Sequence, residues 1–366
     1  MTPPSTKSSP HERIIWERVG SIILAFSAFP FIPAPLPLEK VPVNHHRLDA
    51  APPPPDSFLI SHHLPCPNLP RTATRLKPEF KNANLPLAST ILWSHPCAMH
   101  KFGNTSVETV LITGASSGIG TELAKCFAAD GCQLVLVARN AQALQSLADD
   151  LHEKYKVASH VLTADLGRPE DIERIFNQLQ SSGITIDVLV NNAGFGARGP
   201  FVALPLKRQL EMVQVNITAL TNLTGLFLPG MIARKNGGVL NVASAAAFQP
   251  GPGMAVYFAT KAFVLSFSEA IAEETIGKGV TITAFCPGSV KTNFASTASI
   301  IGRPYTSKGS ATAEATACYG HRAFRRGQVV AVPGLRNKLR AFAVRLVPRR
   351  MVRWYVKSLN ALDPAT

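Results

Sequence analysis

Six apolar runs rich in β-branched residues alternate with helical periodicities from residue 107 onward. Strands buried on both faces read as continuous apolar runs, and right-handed crossovers place helices on both faces of a parallel sheet. The sequence therefore predicts an α/β fold, a doubly wound parallel sheet of six to seven strands with helices on both faces. The predicted strands cover 107–112, 132–138, 159–163, 187–191, 238–242 and 280–286, with a seventh at 328–332, and the predicted helices cover about 118–130, 140–156, 169–182, 205–235 (broken near Asn216) and 254–276.

The composition changes near residue 100. The first hundred residues hold 18 of the 29 prolines and 7 of the 10 histidines, but one of the 25 glycines. Proline fixes φ and removes a backbone donor, so we predict a disordered Pro-rich leader over 1–98, with Met99 as a candidate functional start. After the leader we predict a catalytic domain over 99–320 and a basic helical extension of the same domain over 321–366.

A second interpretation reads Ser21–Ile32 as the core of an N-terminal signal peptide. The stretch is too short to span a bilayer, contains Pro30, and follows the acids Glu12 and Glu17. We therefore expect a cytoplasmic protein, with the signal peptide as the less favoured alternative.

The net charge of +14 is concentrated at the C-terminus, where residues 321–366 carry eleven Lys and Arg against the single acid Asp363. No helix-turn-helix, zinc or RNA-binding signature accompanies these cations, so we predict no nucleic-acid partner. The six cysteines show neither a CxxC pair nor metal-ligand spacing, which predicts unreactive thiols and no metal site.

The stretch LITGASSGIG (111–120) joins the first predicted strand to the first helix. Gly114 lets the chain turn off the strand, Gly118 lets the backbone approach a pyrophosphate, and Gly120 lets the helix pack closely on the sheet. The amides at the helix start then face the phosphates. This turn predicts a Rossmann-like dinucleotide site that uses Gly114, Ser116, Ser117, Gly118, Ile119 and Gly120.

The end of the second strand distinguishes between the two nicotinamide cofactors. An NAD binder usually places Asp or Glu there for the ribose 2′-hydroxyl, whereas this chain has Ala138 followed by Arg139. A guanidinium pairs with a 2′-phosphate, so the sequence predicts NADP(H). Asp165, at the end of the third strand, is placed to meet the adenine edge.

Tyr257 and Lys261 lie four residues apart on one face of an apolar helix. An ammonium in a low-dielectric cleft is expected to lower the pKa of the phenol and make it an acid–base catalyst. Ser244 follows the strand GVLNVAS at the carboxyl end of the sheet, where its hydroxyl is expected to hold a carbonyl group beside the tyrosine.

Taken together, TGASSGIG, NNAG (191–194), Ser244, Tyr257-x-x-x-Lys261 and PG (287–288) resemble the classical short-chain dehydrogenase/reductase family over roughly 107–292. The resemblance implies that Tyr257 is the proton donor in reduction, that Lys261 binds the nicotinamide ribose and that Ser244 polarises the carbonyl. It also implies that Asn216 holds a water in the proton relay. The further cofactor contacts it implies are Asn192, Ala193, Gly194, Pro287, Gly288, Val290 and Thr292.

The finer motifs, such as VNNAGFGARGPF, resemble reductases of 3-hydroxy acids, ketones and acyl or steroid ketones. Phe258 departs from the small residue common after the tyrosine, and we expect a packing change there. The family pairs its helices at 205–235 and 254–276 between subunits, which implies a homodimer or homotetramer.

The predicted function is that of an NADPH-dependent carbonyl reductase. One alternative is an NADP-dependent 3-hydroxy acid or 3-oxoacyl dehydrogenase. Another alternative, of a different class, is an NADP(H)-binding scaffold or sensor, against which the Ser244–Tyr257 pair argues.

The loop 289–310 is expected to close over substrate, and its apolar members, with Phe195 and Phe248, favour an apolar carbonyl compound.

The C-terminal tail has Leu335, Leu339, Phe342 and Leu346 at helical spacing, with basic residues between them. We expect the tail to fold over the substrate mouth and to keep its charges in solvent. Peripheral contact with an anionic membrane is the less favoured alternative.

Overall fold

The apolar runs of the sequence form a sheet of seven parallel strands within residues 107–292 and 310–360, the part of the chain that this computed structural model describes. The strands are β1 (Thr109–Thr113), β2 (Gln133–Ala138), β3 (Ser159–Thr163), β4 (Val188–Asn191), β5 (Gly237–Val242), β6 (Val280–Phe285) and β9 (Val330–Ala331), with a separate parallel pair of β7 (Val290–Lys291) and β8 (Ala311–Thr312). Six predicted strands are confirmed to within two residues, and the seventh is shorter than predicted.

Nine α-helices lie in the same described part of the chain. They are α1 (Gly118–Ala129), α2 (Ala141–Tyr155), α3 (Pro169–Ser181), α4 (Leu206–Val213), α5 (Leu220–Arg234), α6 (Ala255–Glu274), α7 (Ala313–Arg325), α8 (Leu335–Leu346) and α9 (Arg349–Leu359). The predictions for the leader 1–98 and for Met99, and most of the loop 289–310 with its apolar members Phe294, Ile300 and Ile301, lie outside the described residues.

Alternate residues of each strand face two different helical layers. Val110 and Ile112 of β1 pack in the layer that includes Phe127 of α1, whereas Leu111 packs in the layer that includes Ile172 of α3. The first layer contains α1, α2 and α7, and the second contains α3, α5 and α6. Burial of both faces explains why the strands read as continuous apolar runs.

The strand order β3-β2-β1-β4-β5-β6-β9 places β1 between β2 and β4. The chain therefore winds outward in one direction from β1 to β3, and in the other from β4 to β9. At this reversal the chain leads from β1 and from β4 to helices on opposite faces of the sheet, which leaves a crevice at the carboxyl ends of the strands. The glycine turn and the NNAG motif both lie at that crevice.

The break predicted near Asn216 is a π-helical segment, Gln214–Ala219, which joins α4 to α5 without interrupting the helical path. A π-helix inserts extra residues into a turn and is frequently found at functional sites. The structure therefore replaces the predicted break by a local widening around a buried asparagine.

Helix α7 is fixed to the core by a buried charge cluster. Arg325, 3% exposed, lies 2.8 Å from Glu108 and 2.9 Å from Asp130, and His321 lies 3.0 Å from the same aspartate. These contacts fix the C-terminal end of α7 against the start of β1 and the end of α1. The boundary predicted between 320 and 321 falls inside this helix.

The cysteines of the described residues divide into two groups. Cys132 and Cys286 are buried, and burial raises the pKa of each thiol to about 12, as expected of unreactive side chains. Cys126 of α1 and Cys318 of α7 are half-buried, with their Sγ atoms 3.4 Å apart. Cys66 and Cys97 lie outside the described residues.

Two helical stretches, Leu206–Arg234 and Ala255–Glu274, are long and apolar enough to cross a membrane by length and composition alone. Both also supply core residues, such as Phe227 and Met231 on α5 and Val264 on α6. Core helices of a folded domain pass the same test, so this is weak evidence for a membrane span.

Candidate active site

A cavity of about 620 Å³ lies in the crevice at the carboxyl ends of the strands. It contacts nearly all of the predicted site residues, which come from seven separate stretches of the chain. The predicted residues that line it are Gly114, Ser116, Ser117, Gly118, Ile119, Arg139, Asp165, Asn192, Ala193, Gly194, Ser244, Tyr257, Lys261, Pro287, Gly288, Val290 and Thr292. Gly120 and Asn216 lie behind the wall.

The glycine turn has the backbone conformation that its sequence predicts. Gly114 and Gly118 have φ of +65° and +60°, which side chains with a Cβ rarely adopt. Helix α1 begins at Gly118, so its first amides lie at the cavity wall. Free amides at a helix start bind phosphate oxygens, and the turn is therefore shaped for a pyrophosphate.

Asn192 holds the turn in place. Its side-chain amide donates to the carbonyl oxygens of Thr113 and Gly114 at 2.9 and 3.2 Å, and its backbone amide donates to the Thr113 hydroxyl at 3.0 Å. The loop after β4 is thus tied to the loop after β1. We infer that Asn192 both lines the cofactor site and fixes the conformation of the glycine turn.

The end of β2 carries Ala138 and Arg139 in the cavity wall, with the Arg139 side chain exposed. A guanidinium is thereby available where a ribose 2′-phosphate would bind. Asp165, at the end of the neighbouring β3, also lines the cavity, and its Oδ1 accepts from the amide of Gly167 at 3.0 Å.

Ser244 and Tyr257 meet across the cavity wall. Their side chains are hydrogen-bonded to one another, and the Ser244 hydroxyl also accepts from the amide of Ala246 at 3.1 Å. This second bond arises because Ser244 caps the short helix Ala245–Phe248 that follows β5. The cap orients the serine hydroxyl toward the tyrosine.

The electrostatics of Tyr257 differ from the expectation that Lys261 lowers its pKa. Burial raises the pKa of Tyr257 to about 12, and the hydrogen bond with Ser244 opposes that rise only in part. The Lys261 ammonium instead donates to the carbonyl oxygen of Val242 at 2.7 Å, and burial lowers its own pKa to about 8. The phenol is therefore protonated at neutral pH.

Asn216 uses its whole side chain to support the site. Its amide donates to the Phe195 carbonyl and the Thr260 hydroxyl, each at 3.0 Å, and its Oδ1 accepts from the Phe195 amide at 3.1 Å. Gly194 lies beside it, and a Cβ added there would lie 2.9 Å from that oxygen and force the Asn216 side chain to move. The predicted water-holding role stays a prediction.

Part of the cavity wall comes from residues that were not among the predicted site residues. Arg198, 8% exposed, follows the NNAGFG stretch, and Asn337, Arg340 and Val356 come from α8 and α9. The C-terminal helices are held there by Val352 and Val356, which pack on Met254 and Phe258. The unusual Phe258 is thus the contact surface for α9, which is the packing change expected at that position.

The low pKa of Lys261 predicts a pH-dependent stability. Between pH 8 and 10.5 the unfolded lysine holds a proton that the folded one has lost, so the free energy of unfolding rises with pH in this range. From pH 7 to pH 10 the wild-type chain, without added cofactor, is expected to gain about 2 kcal/mol relative to Lys261→Met. Urea unfolding of both proteins measures this. Parallel pH profiles of the two would contradict it, since Tyr257 and Cys286 titrate in both.

Comparison with known proteins shows several relatives. The family model described as short chain dehydrogenase matches residues 108–300. A very-long-chain 3-oxoacyl-CoA reductase of Anas platyrhynchos is 38% identical over 187 residues, which are 50% of this chain and 59% of that protein. A serine 3-dehydrogenase of Rhizobium radiobacter is also 38% identical over 187 residues, 51% of this chain and 73% of that protein.

A solved structure has the same fold. The short-chain dehydrogenase from Sphingobium yanoikuyae in complex with NADPH is 32% identical, with a TM-score of 0.61 over 71% of this chain and 98% of that one. The chain spans between about half and six tenths of the length of the very-long-chain 3-oxoacyl-CoA reductases that it matches.

Proposed function

Because the chain belongs to the short-chain dehydrogenase family, we propose that it is an NADPH-dependent carbonyl reductase. The observation that carries this proposal is the hydrogen-bonded pair of Ser244 and Tyr257, with Lys261 in the wall of the same cavity as the glycine turn. A protein that only binds the cofactor has no need of the serine–tyrosine pair, which argues against the scaffold or sensor alternative.

The proposed chemistry follows from the protonation states. Ser244 donates a hydrogen bond to the substrate carbonyl oxygen and polarises it. Tyr257, protonated because burial raises its pKa to about 12, delivers its proton to that oxygen and forms the alcohol. NADPH, when bound, supplies the hydride. The protonated phenol is the form that reduction requires, whereas oxidation of the alcohol requires the phenolate.

The residues fit NADPH rather than NADH. The cradle at Gly114 and Gly118 suits a pyrophosphate, Arg139 suits a 2′-phosphate, and Ala138 stands where an acid would repel it. Lys261 would hold the nicotinamide ribose, and Asp165 would meet the adenine.

Arg139→Ala is expected to weaken NADPH binding by about 10- to 100-fold and to leave NADH binding unchanged, because it removes a charge-assisted contact to the phosphate alone. Nicotinamide fluorescence titration of the full chain measures both affinities. Arg326→Ala, which removes an exposed arginine outside the cavity, is the matched control and should bind both cofactors as the wild type does. Equal loss of NADPH and NADH affinity in Arg139→Ala would contradict the assignment.

A second candidate, a 3-oxoacyl thioester reductase, is favoured by the names of the relatives. The wall around Tyr257 is apolar, with Phe195, Phe248, Met254 and Phe258, and suits a hydrocarbon chain. NADPH oxidation with a chain-length series of 3-oxoacyl-CoA, against simple ketones of the same length, separates the two. A kcat/KM that rises with chain length only for the thioesters supports the second candidate; turnover of neither class overturns both.

We also propose a homodimer or homotetramer in the cytoplasm. Leu206 and Leu210 on α4 and Phe263 on α6 are exposed on the long helices through which the family pairs its subunits. Sedimentation velocity of the full chain tests this, and a monomer at micromolar concentration would overturn it.

A further inference from the structure

The outward side of the two C-terminal helices is apolar. On α8, four large side chains recur at helical spacing and are between 52% and 72% exposed: Leu335, Leu339, Phe342 and Leu346. Residues at positions i, i+4, i+7 and i+11 form one continuous stripe along a helix. This stripe is separate from the side of α8 that lines the cavity through Asn337 and Ala341.

Helix α9 also exposes large apolar side chains. Val352 and Val356 are buried on Met254 and Phe258, while Met351, Trp354, Tyr355 and Leu359, which continue the apolar side of the helix beyond these valines, are 41% to 67% exposed. Each helix thus exposes large apolar side chains that are not used to hold it on the domain. We call the exposed apolar side chains of α8 and α9, with their flanking cations, the C-terminal face.

Cations flank the apolar side chains. The two helices together carry eight basic residues and no acidic residue: Arg336, Lys338, Arg340, Arg345, Arg349, Arg350, Arg353 and Lys357. Large apolar residues including Trp, bordered by Lys and Arg, are the composition of helices that lie in the interface plane of a membrane. Each cation near an anionic lipid surface adds to the attraction.

We propose that the C-terminal face docks on the surface of an anionic lipid bilayer. A nucleic acid would be attracted by the cations but would leave eight large apolar side chains in water. A second copy of the chain would bring the same basic face against itself, since a two-fold interface pairs like with like. A bilayer satisfies both features, because its headgroups take the cations and its acyl region takes Leu, Phe and Trp.

Docking there would place the mouth of the cavity against the lipid. Arg340 and Leu359 line the cavity and are also exposed, so the cavity rim is continuous with the C-terminal face. An apolar carbonyl substrate dissolved in the bilayer would then reach Tyr257 without crossing water. This consequence rests on the proposed function, whereas the docking itself does not.

The test is flotation of the full chain with vesicles of phosphatidylcholine alone or with 30% phosphatidylserine. Binding is expected only with the anionic vesicles, and the affinity of the protein for these vesicles is expected to fall at least tenfold between 50 mM and 500 mM salt. The charge variant Arg349→Gln/Arg350→Gln/Arg353→Gln is expected to bind about 100-fold more weakly. Its matched control is Lys154→Gln/Lys207→Gln/Lys278→Gln, which removes three exposed cations elsewhere and should bind as the wild type does.

The apolar contribution is tested by Leu339→Ser/Phe342→Ser/Trp354→Ser, expected to lower vesicle affinity at least tenfold. Val107→Ser/Val202→Ser/Ile276→Ser replaces exposed apolar residues away from the C-terminal face and is the matched control. Circular dichroism and NADPH titration establish that each variant is folded and keeps its cofactor site.

Three outcomes would overturn the docking proposal. The first is that the wild type does not bind anionic vesicles at 50 mM salt. The second is that neither the charge variant nor the apolar variant of the C-terminal face changes vesicle binding. The third is that the wild type forms an oligomer that dissociates in the apolar variant Leu339→Ser/Phe342→Ser/Trp354→Ser. The last would show that a second copy covers the face. None of these outcomes depends on turnover, so failure of the proposed function, seen as NADPH binding without reduction, is distinguishable from failure of docking.

Discussion

Replacing Tyr257 with Phe is expected to lower kcat for ketone reduction by about 10³-fold or more, because the phenol is the group that delivers the proton. The change removes one oxygen from a residue whose ring packs edge-on against Phe258 with centroids 6.1 Å apart, so packing and NADPH affinity should be kept. Stopped-flow or steady-state NADPH oxidation measures kcat, and nicotinamide fluorescence measures the affinity.

Tyr319→Phe is the matched control for this variant. The Tyr319 hydroxyl donates to the carbonyl oxygen of Val332 at 3.0 Å and lies outside the cavity. Its loss should cost about 1 kcal/mol of stability and leave kcat unchanged. Full activity of Tyr257→Phe would show that the proposed mechanism is wrong, while loss of NADPH binding together with activity would point to a folding defect at the site.

The sheet was predictable from sequence because both of its faces are buried. Val110 and Leu111 face opposite layers, so neither position tolerates a polar side chain and the strand reads as one apolar run. The same holds for the glycine turn, where positive φ at Gly114 and Gly118 restricts the residue type directly. Where burial or backbone conformation restricts the residue type at a position, that feature can be predicted from the local sequence.

The less predictable features depend on contacts between distant segments. Arg198 and Asn337 belong to the cavity because the fold brings residues 198 and 337 to one place, and the local sequence around neither residue indicates that contact. The pKa of Tyr257 was expected to fall because Lys261 lies four residues away. In the structure the Lys261 ammonium donates to the carbonyl oxygen of Val242 instead. The spacing of residues along a helix does not indicate which acceptor a lysine side chain will bind.

Gly120→Ala is expected to lower the free energy of unfolding by about 3 kcal/mol and to weaken NADPH binding at least tenfold. An added Cβ would overlap the carbonyl oxygen of Gly114 and lie 2.6 Å from the Asn192 side-chain amide. That amide holds the turn through Thr113 and Gly114, so relief of the overlap must separate α1 from the turn or break those bonds. Urea unfolding and fluorescence titration measure the two effects.

The contrast with Gly225→Ala makes this prediction specific. Gly225 lies inside α5, and an added Cβ there would meet nothing within 4 Å among the described residues. Alanine is the better helix former, so this variant should be more stable than wild type by about 0.5–1 kcal/mol and should bind NADPH normally. If Gly120→Ala behaved like Gly225→Ala, the close approach of α1 to the turn would not be what Gly120 provides. The cofactor site would then owe its shape to Gly114 and Gly118 alone.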